Sequence, residues 1–150
     1  MAENKVCTLC DKIGLKPFTK ENIYYYYIPI NGLASYGALS LNVMNPSLVS
    51  KILSPRKDLT NALLLSSVVG AAFYIYGRPA LKAVPNGKRG LYAMLGGGLW
   101  AMGSVLFWAV LKSVCPSDNA AVATVAGLAT GAVIVKVGKD YFEDIDKQIK

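Results

Sequence analysis

The sequence predicts an all-α membrane protein in which four transmembrane helices form a bundle. Hydrophobic residues make up 53% of the chain and charged residues only 17%, whereas soluble domains average about 25% charged residues. The apolar residues collect in four long blocks, and the charges lie between the blocks. Small residues recur at every fourth position within three of the blocks, a spacing typical of helices that pack closely in lipid.

The first block follows a polar leader, residues 1–22, in which the charges are mixed. Residues 23–44 carry no charge and are predicted to be the first span, because about 20 apolar residues cross a hydrocarbon core. Pro29, Asn31 and Asn42 make this block the least apolar of the four, so an interfacial or re-entrant helix is the alternative. Tyrosines at 24–27 fit the membrane interface, where amphipathic rings lie among the headgroups.

The other three spans are predicted at residues 59–77, 91–111 and 120–137, which completes a transmembrane domain over residues 23–138. A basic linker with two prolines separates the second span from the third. Residues 139–150 form a charged tail. Apolar residues recur there every four positions, which is typical of a short amphipathic helix.

The third span contains three consecutive glycines, 96–98, within the motif LGGGL. A phosphate-binding loop of the Walker type requires a Gly-Lys-Ser/Thr ending, and no lysine follows these glycines. No strand pattern precedes them, which excludes a dinucleotide-binding fingerprint. We therefore interpret the glycines as a narrow section of a transmembrane helix.

Small residues with a spacing of four are the candidate helix-packing residues. Lipid tails are as apolar as leucine, so helices in a membrane associate through close backbone approach, which small side chains permit. The candidates are Ala62, Ser66 and Gly70 in the second span, Ala93, Gly97 and Ala101 in the third, and Ala123, Gly127 and Gly131 in the fourth.

The distribution of lysine and arginine favours four crossings. The leader, the linker and the segment from Lys136 onward carry four each, hence twelve of sixteen, and the two remaining connections carry four together. With only three crossings the two sides would hold eight each. Because positive residues collect on the cytosolic or matrix side, we expect both termini there.

The residue types argue against catalysis and against cofactors. The chain has no histidine, which removes most triads and most catalytic zinc sites. Cys7 and Cys10 are spaced as half of a zinc or redox motif, but four ligands are required and Cys115 is the only other thiol. Two ordinary thiols are therefore the favoured interpretation, and no cofactor or metal is expected. The predicted spans contain no acid or base away from their ends.

We expect a small non-catalytic membrane protein that acts as an accessory subunit, assembly factor or scaffold of a larger complex. Its expected partners are the lipid bilayer and other membrane subunits, or itself, and not nucleic acid, because the basic residues follow the topology rule. The mitochondrial inner membrane is the favoured location and the endoplasmic reticulum is the alternative. An oligomeric channel or small-solute carrier, with Asn31, Asn42, Asn61 and Ser67 along a polar path, is the alternative function. A tethering protein with an interfacial first segment is a third.

Overall fold

A computed structural model describes residues 14–52, 59–114 and 118–149. Within these ranges 87% of the residues are helical and none lies in a strand, which confirms the all-α prediction. The glycine-rich stretch of the third block is helical throughout and forms no loop.

Five α-helices of seven residues or more make up most of the described chain. They are α1 (Ile28–Met44), α2 (Pro46–Ile52), α3 (Thr60–Tyr76), α4 (Asn86–Val114) and α5 (Ala120–Gln148). A helical turn, Lys20–Asn22, and a π-helical stretch, Ile23–Tyr27, lead directly into α1, and a 3-10 turn, Pro79–Leu81, follows α3.

Local sequence explains where several of these elements begin and end. Pro29 has no N–H to donate to the carbonyl of Tyr25 and its ring clashes with that carbonyl, so the helix widens just before it. Pro46 follows the end of α1, since it cannot extend the same hydrogen-bond ladder. Asn119 begins α5, because its side-chain oxygen accepts a hydrogen bond from the Ala121 N–H at 3.0 Å.

Helices α1 and α3 are antiparallel neighbours. Near the start of α1, the ring of Tyr24 stacks on Phe73 with their centroids 5.7 Å apart. Near its end, Asn42 Nδ2 donates to Thr60 Oγ1 at 2.6 Å. The start of α1 therefore lies beside the end of α3.

Helices α4 and α5 continue the antiparallel arrangement. Lys112, near the end of α4, donates from Nζ to the carbonyl of Val43 at 3.1 Å. At the same end of the molecule, Asn45 Nδ2 donates to the carbonyl of Ala120 at 3.3 Å, where α5 begins. The start of α1, the end of α3, the start of α4 and the end of α5 consequently lie together at the opposite end.

Among the residues that the structure describes, two helices, not the four predicted, are long and apolar enough to cross a membrane by length and composition. These are α4 and α5, with 29 residues each. Helix α3 is apolar but has 17 residues, because it begins only at Thr60 and its last turn is followed by Gly77. Helix α1 also has 17 residues, because the π-helical stretch takes up the residues before it, and Asn31 and Asn42 make it more polar than α3.

The charged tail is part of α5 and not a separate segment. The helix continues from the predicted fourth span to Gln148. No proline lies within residues 136–148. Lys139 forms an ion pair with Glu143, one turn later, at 3.5 Å, and such a pair stabilises a continuous helix.

Candidate helix-packing site

Helices α1 and α3 approach most closely where two glycines meet. A Cβ atom on Gly70 would lie 2.5 Å from the Cα of Gly32, and a Cβ on Gly32 would lie 2.5 Å from the Cα of Gly70. No side chain other than hydrogen fits at this distance. Gly70 is one of the predicted packing residues, but Gly32 is not, because the positions four residues before and after Gly32 are occupied by large side chains, Ile28 and Tyr36.

Helix α4 packs against a different side of α3 through the middle glycine of LGGGL. A Cβ atom on Gly97 would lie 2.8 Å from the backbone nitrogen of Ala72 and 2.9 Å from the carbonyl oxygen of Val68. The predicted neighbours of Gly97 on α4 are buried with it, since Ala93 is 2% exposed and Ala101 is 0% exposed.

Helix α5 contacts α1 and α4 through its own glycines, but the neighbouring atoms belong mainly to side chains. A Cβ on Gly127 would lie 2.9 Å from Cγ of Met44. A Cβ on Gly131 would lie 3.3 Å from the Trp108 ring and 3.6 Å from the Tyr36 ring. Because side chains move more easily than backbone, this contact is more adaptable than the two glycine contacts of α3.

An aromatic cluster fills the space between α1, α4 and α5. The Tyr36 ring stacks on Trp100 at 4.2 Å and lies 4.9 Å from Trp108. Tyr36 OH donates to Ser104 Oγ at 2.9 Å, and Trp108 Nε1 donates to Thr130 Oγ1 at 3.2 Å. Trp108 is fully buried and lies on the same face of α4 as Gly97, eleven residues or about three helical turns later.

The structure distributes the nine predicted packing residues unevenly. Six are buried, two are half-buried and one is exposed. The buried residues are Gly70, Ala93, Gly97, Ala101, Gly127 and Gly131, the half-buried ones are Ser66 and Ala123, and the exposed one is Ala62.

Three of the four polar residues considered for a solute path pair with their neighbours, and the fourth, Asn61, is exposed at the first turn of α3. Asn31 donates to Ser66 Oγ at 3.2 Å, and Asn42 donates to Thr60. Ser67 donates to the carbonyl of Leu63, one turn earlier in its own helix, at 2.7 Å. These contacts hold α1 to α3 or satisfy a side chain locally.

One ion pair joins the end of α5 to the connection after α3. Arg78 Nε lies 3.2 Å from Asp146 Oδ2, and both side chains are more than four-fifths buried. Asp146 also accepts a hydrogen bond from the Ala80 N–H at 3.1 Å. The guanidinium lies over the rings of Tyr74 and Phe142 at 4.9 and 5.9 Å. Asp146 is therefore a buried partner in the charged tail and not part of its solvated surface.

A second arginine closes the connection between α3 and α4. Arg89 Nε donates to the carbonyl of Tyr76 at 2.9 Å, and its guanidinium lies 4.0 Å from the centroid of the Tyr76 ring. This contact satisfies a carbonyl at the end of α3, which has no partner within the helix.

On the exposed tail, the pKa of Lys147 is raised by its hydrogen bond to Asp144 and by the charge of that carboxylate.

Within the described residues, no group of three or more histidine, cysteine, aspartate or glutamate side chains is arranged to hold a metal ion. Cys7 and Cys10, the candidate thiols of the leader, lie outside the described residues. Comparison with protein-family models, with curated proteins and with solved structures finds no match.

Proposed function

We propose that this chain is a small multi-pass membrane protein without catalytic activity, and that it serves as an accessory subunit, assembly factor or scaffold of a larger membrane complex. One observation carries the proposal. The two longest helices are strongly apolar, yet only 22% of the most apolar window of α4 and 11% of that of α5 are buried inside the protein.

The exposed surface of these helices consists mainly of large apolar side chains, whereas their closest backbone contacts are made at small residues. Several leucine and valine residues on α4 and α5 are 60–70% exposed, namely Leu91, Leu95, Leu99, Leu106, Val125 and Val133. Glycine and alanine, at Gly97, Ala93 and Ala101 among others, occupy much of the face that packs inside the protein. Water would penalise such a surface heavily, whereas lipid tails solvate it.

Four crossings remain our proposal for the topology. The helical run that includes α1 extends from residue 20 to residue 44, which is long enough to span. Helix α3, with 17 residues, is about 26 Å long and reaches across with a small adjustment at its ends.

Charge and tyrosine placement support an orientation with both termini on the cytosolic or matrix side. The helix ends next to the leader, the linker and the segment from Lys136 onward lie together, and these segments hold twelve of the sixteen basic residues. Eight of the nine tyrosines lie near the same end, at positions 24–27, 74, 76, 92 and 141. Tyrosine and basic side chains are both enriched at a membrane interface.

The polar groups of the helices support a structural role rather than a chemical one. The hydroxyl and amide side chains of α1 and α3 bond to one another. Lys112, near the end of α4, bonds to a backbone carbonyl at the end of α1. A transporter or enzyme in a membrane commonly holds an Asp, Glu, Lys, Arg or His within its spans, and the described part of the spans has none of these away from the ends.

The test is migration of the endogenous protein on a native gel, after extraction of fractionated membranes in mild detergent. We expect it in a band much larger than its own mass, and mass spectrometry of that band identifies the partners. The fraction that contains the band decides between the mitochondrial inner membrane, which we favour, and the endoplasmic reticulum. Migration as a small homo-oligomer alone would refute the accessory role and favour a channel or carrier.

A further inference from the structure

The register of α5 against α4 places the beginning of the charged tail beside the middle of the bundle. Trp108 Nε1 donates to Thr130 Oγ1 at 3.2 Å, and a Cβ atom on Gly138 would lie 3.5 Å from Trp100 Nε1. Trp100 is the middle residue of α4, which runs from Asn86 to Val114. The sequence predicts that the fourth span ends at residue 137 and that the next charges lie beyond it. The structure instead places those charges level with the centre of the third span.

Six charged side chains share the side of α5 that points away from the other helices. They form the charged face, which consists of Lys136, Lys139, Asp140, Glu143, Asp144 and Lys147. Spacings of three and four residues follow the helical repeat, so these side chains lie along one side of the helix. Glu143 is half-buried and the other five are exposed. Gly138 and Phe142, which lie next to Trp100 and Tyr74, are on the opposite side.

The chain itself pairs only part of the charged face. Lys139 pairs with Glu143 at 3.5 Å, and Lys147 pairs with Asp144 at 2.9 Å. Neither Lys136 nor Asp140 forms an ion pair with another residue that the structure describes. Both are two residues from Gly138, hence within about 3 Å of its depth along the helix axis. The unpaired charges are therefore close to the middle of the bundle.

In the proposed membrane location, on which this inference rests, Lys136 and Asp140 lie at the depth of the lipid tails. At a similar depth, α4 exposes apolar side chains, Leu95, Leu99 and Met102. Charged side chains at such depth are rare, and they normally face other protein groups or a water-filled cavity rather than lipid. One side of the molecule therefore suits lipid, whereas the charged face of α5 requires a polar cover.

We propose that a transmembrane helix of a different subunit covers the charged face, with an acidic residue level with Lys136 and a basic residue level with Asp140. Such a helix pairs the two charges that the chain leaves unpaired. Lipid headgroups do not reach this depth, because Trp100 lies about 21 Å along the helix from either end of α4.

The order of the charges argues against a second copy of this chain. Copies of one chain insert in the same orientation, so a two-fold axis between them runs along the membrane normal. Each residue then lies at the same depth as its counterpart. Lys136 would face Lys136 and Asp140 would face Asp140, and these like charges repel each other.

The first experiment reverses the two unpaired charges in the native complex. The variant that combines Lys136→Glu with Asp140→Lys keeps the net charge, and we expect its amount in the large native-gel band to fall about tenfold. Lys20→Glu combined with Glu21→Lys is the matched control, because both residues are exposed and lie in the leader, and it should remain in the band. Full retention of the first variant would overturn this inference. Absence of the large band for the unchanged chain would instead refute the accessory role.

The second experiment tests charge complementarity with a defined probe. The purified full chain is placed in phosphatidylcholine vesicles with a synthetic leucine-rich transmembrane peptide. The peptide carries a glutamate at its centre and a lysine four residues later. Energy transfer from Trp100 and Trp108 to a dansyl group on the peptide reports binding. We expect this peptide to bind about tenfold more tightly than one in which the glutamate and lysine are exchanged, and the charge-reversed chain should show the opposite preference. Equal binding of the two peptides would overturn the proposal.

Two further outcomes identify other covers and would overturn the proposal. Self-association of the purified chain that is lost on charge reversal would identify a second copy. With the three native cysteines replaced by serine, Val137→Cys places an exposed thiol beside the charged face. We expect this thiol to be protected from a water-soluble maleimide in the native complex. Rapid reaction there would mean that water covers the face.

Discussion

The crossing of α1 and α3 provides the sharpest quantitative prediction. Alanine at position 70 places a Cβ atom 2.5 Å from the Cα of Gly32, and the nearest atoms are all backbone. Ordinary contact between two carbon atoms requires about 3.5–4.0 Å, so the two helices must separate by about 1 Å or more. No rotation of a side chain relieves this overlap.

The cost of Gly70→Ala follows from what that separation disrupts. Overpacking in a close-packed interior costs about 1–3 kcal/mol. The bonds of Asn31 and Ser35 to Ser66 cross the same contact at 3.2 and 2.9 Å, and each is worth about 0.6 kcal/mol in a membrane. Alanine has a higher helix propensity than glycine, and this offsets up to about 1 kcal/mol of the cost. We therefore expect a net loss of about 1–3 kcal/mol in the free energy of unfolding.

Gly37→Ala is the matched control on α1, because a Cβ atom there meets nothing within 4 Å. It should be neutral or stabilising by up to about 1 kcal/mol. Unfolding in mixed micelles with increasing dodecyl sulfate measures both variants, with tryptophan fluorescence as the signal, since Trp100 and Trp108 contact the core residue Tyr36. If Gly70→Ala were as stable as Gly37→Ala, the close crossing would not exist and the packing explanation would fail.

Three further predictions follow from the other contacts. Gly97→Ala, whose Cβ meets backbone, should destabilise the fold more than Gly127→Ala, whose Cβ meets a flexible methionine, and detergent unfolding of the two variants should give that order. Asp146→Asn leaves the buried guanidinium of Arg78 without its counter-charge. We therefore expect a loss of about 1–3 kcal/mol in the free energy of unfolding and faster proteolysis of the last turns of α5. Unchanged resistance of these turns to proteolysis would contradict this role. A cysteine at Ser47 should react with an impermeant reagent only from the side opposite the termini, and reaction from the same side would mean that α1 does not cross.

Much of the helical architecture is accessible from sequence because it depends on local and one-dimensional properties. Long uncharged blocks predicted where the helices are, and the helices α3, α4 and α5 lie over the second, third and fourth predicted spans. The extension of α5 through the tail was not predicted. Charge marked the tail as a separate segment, whereas the backbone ladder continues because nothing in residues 136–148 breaks a helix.

The predicted packing residues identify suitable helix faces but not their partners. A spacing of four predicts that Ala93, Gly97 and Ala101 share a face, and periodicity alone supports that statement. Whether such a face meets backbone, a side chain or the outside depends on the neighbouring helix. Gly97 meets the backbone of α3, whereas Ala62, with the same spacing pattern around it, lies exposed.

The sequence by itself determined the all-α class, the positions of the apolar helices and the asymmetry of positive charge, because each is a sum over neighbouring residues. Only the tertiary structure decided the register. The antiparallel alignment that joins Asn42 to Thr60 also brings Gly32, ten residues earlier in α1, opposite Gly70, ten residues later in α3. It also brought Arg78 to Asp146, 68 positions away in the chain. Such pairings depend on how whole helix surfaces fit together, and no local pattern contains that information.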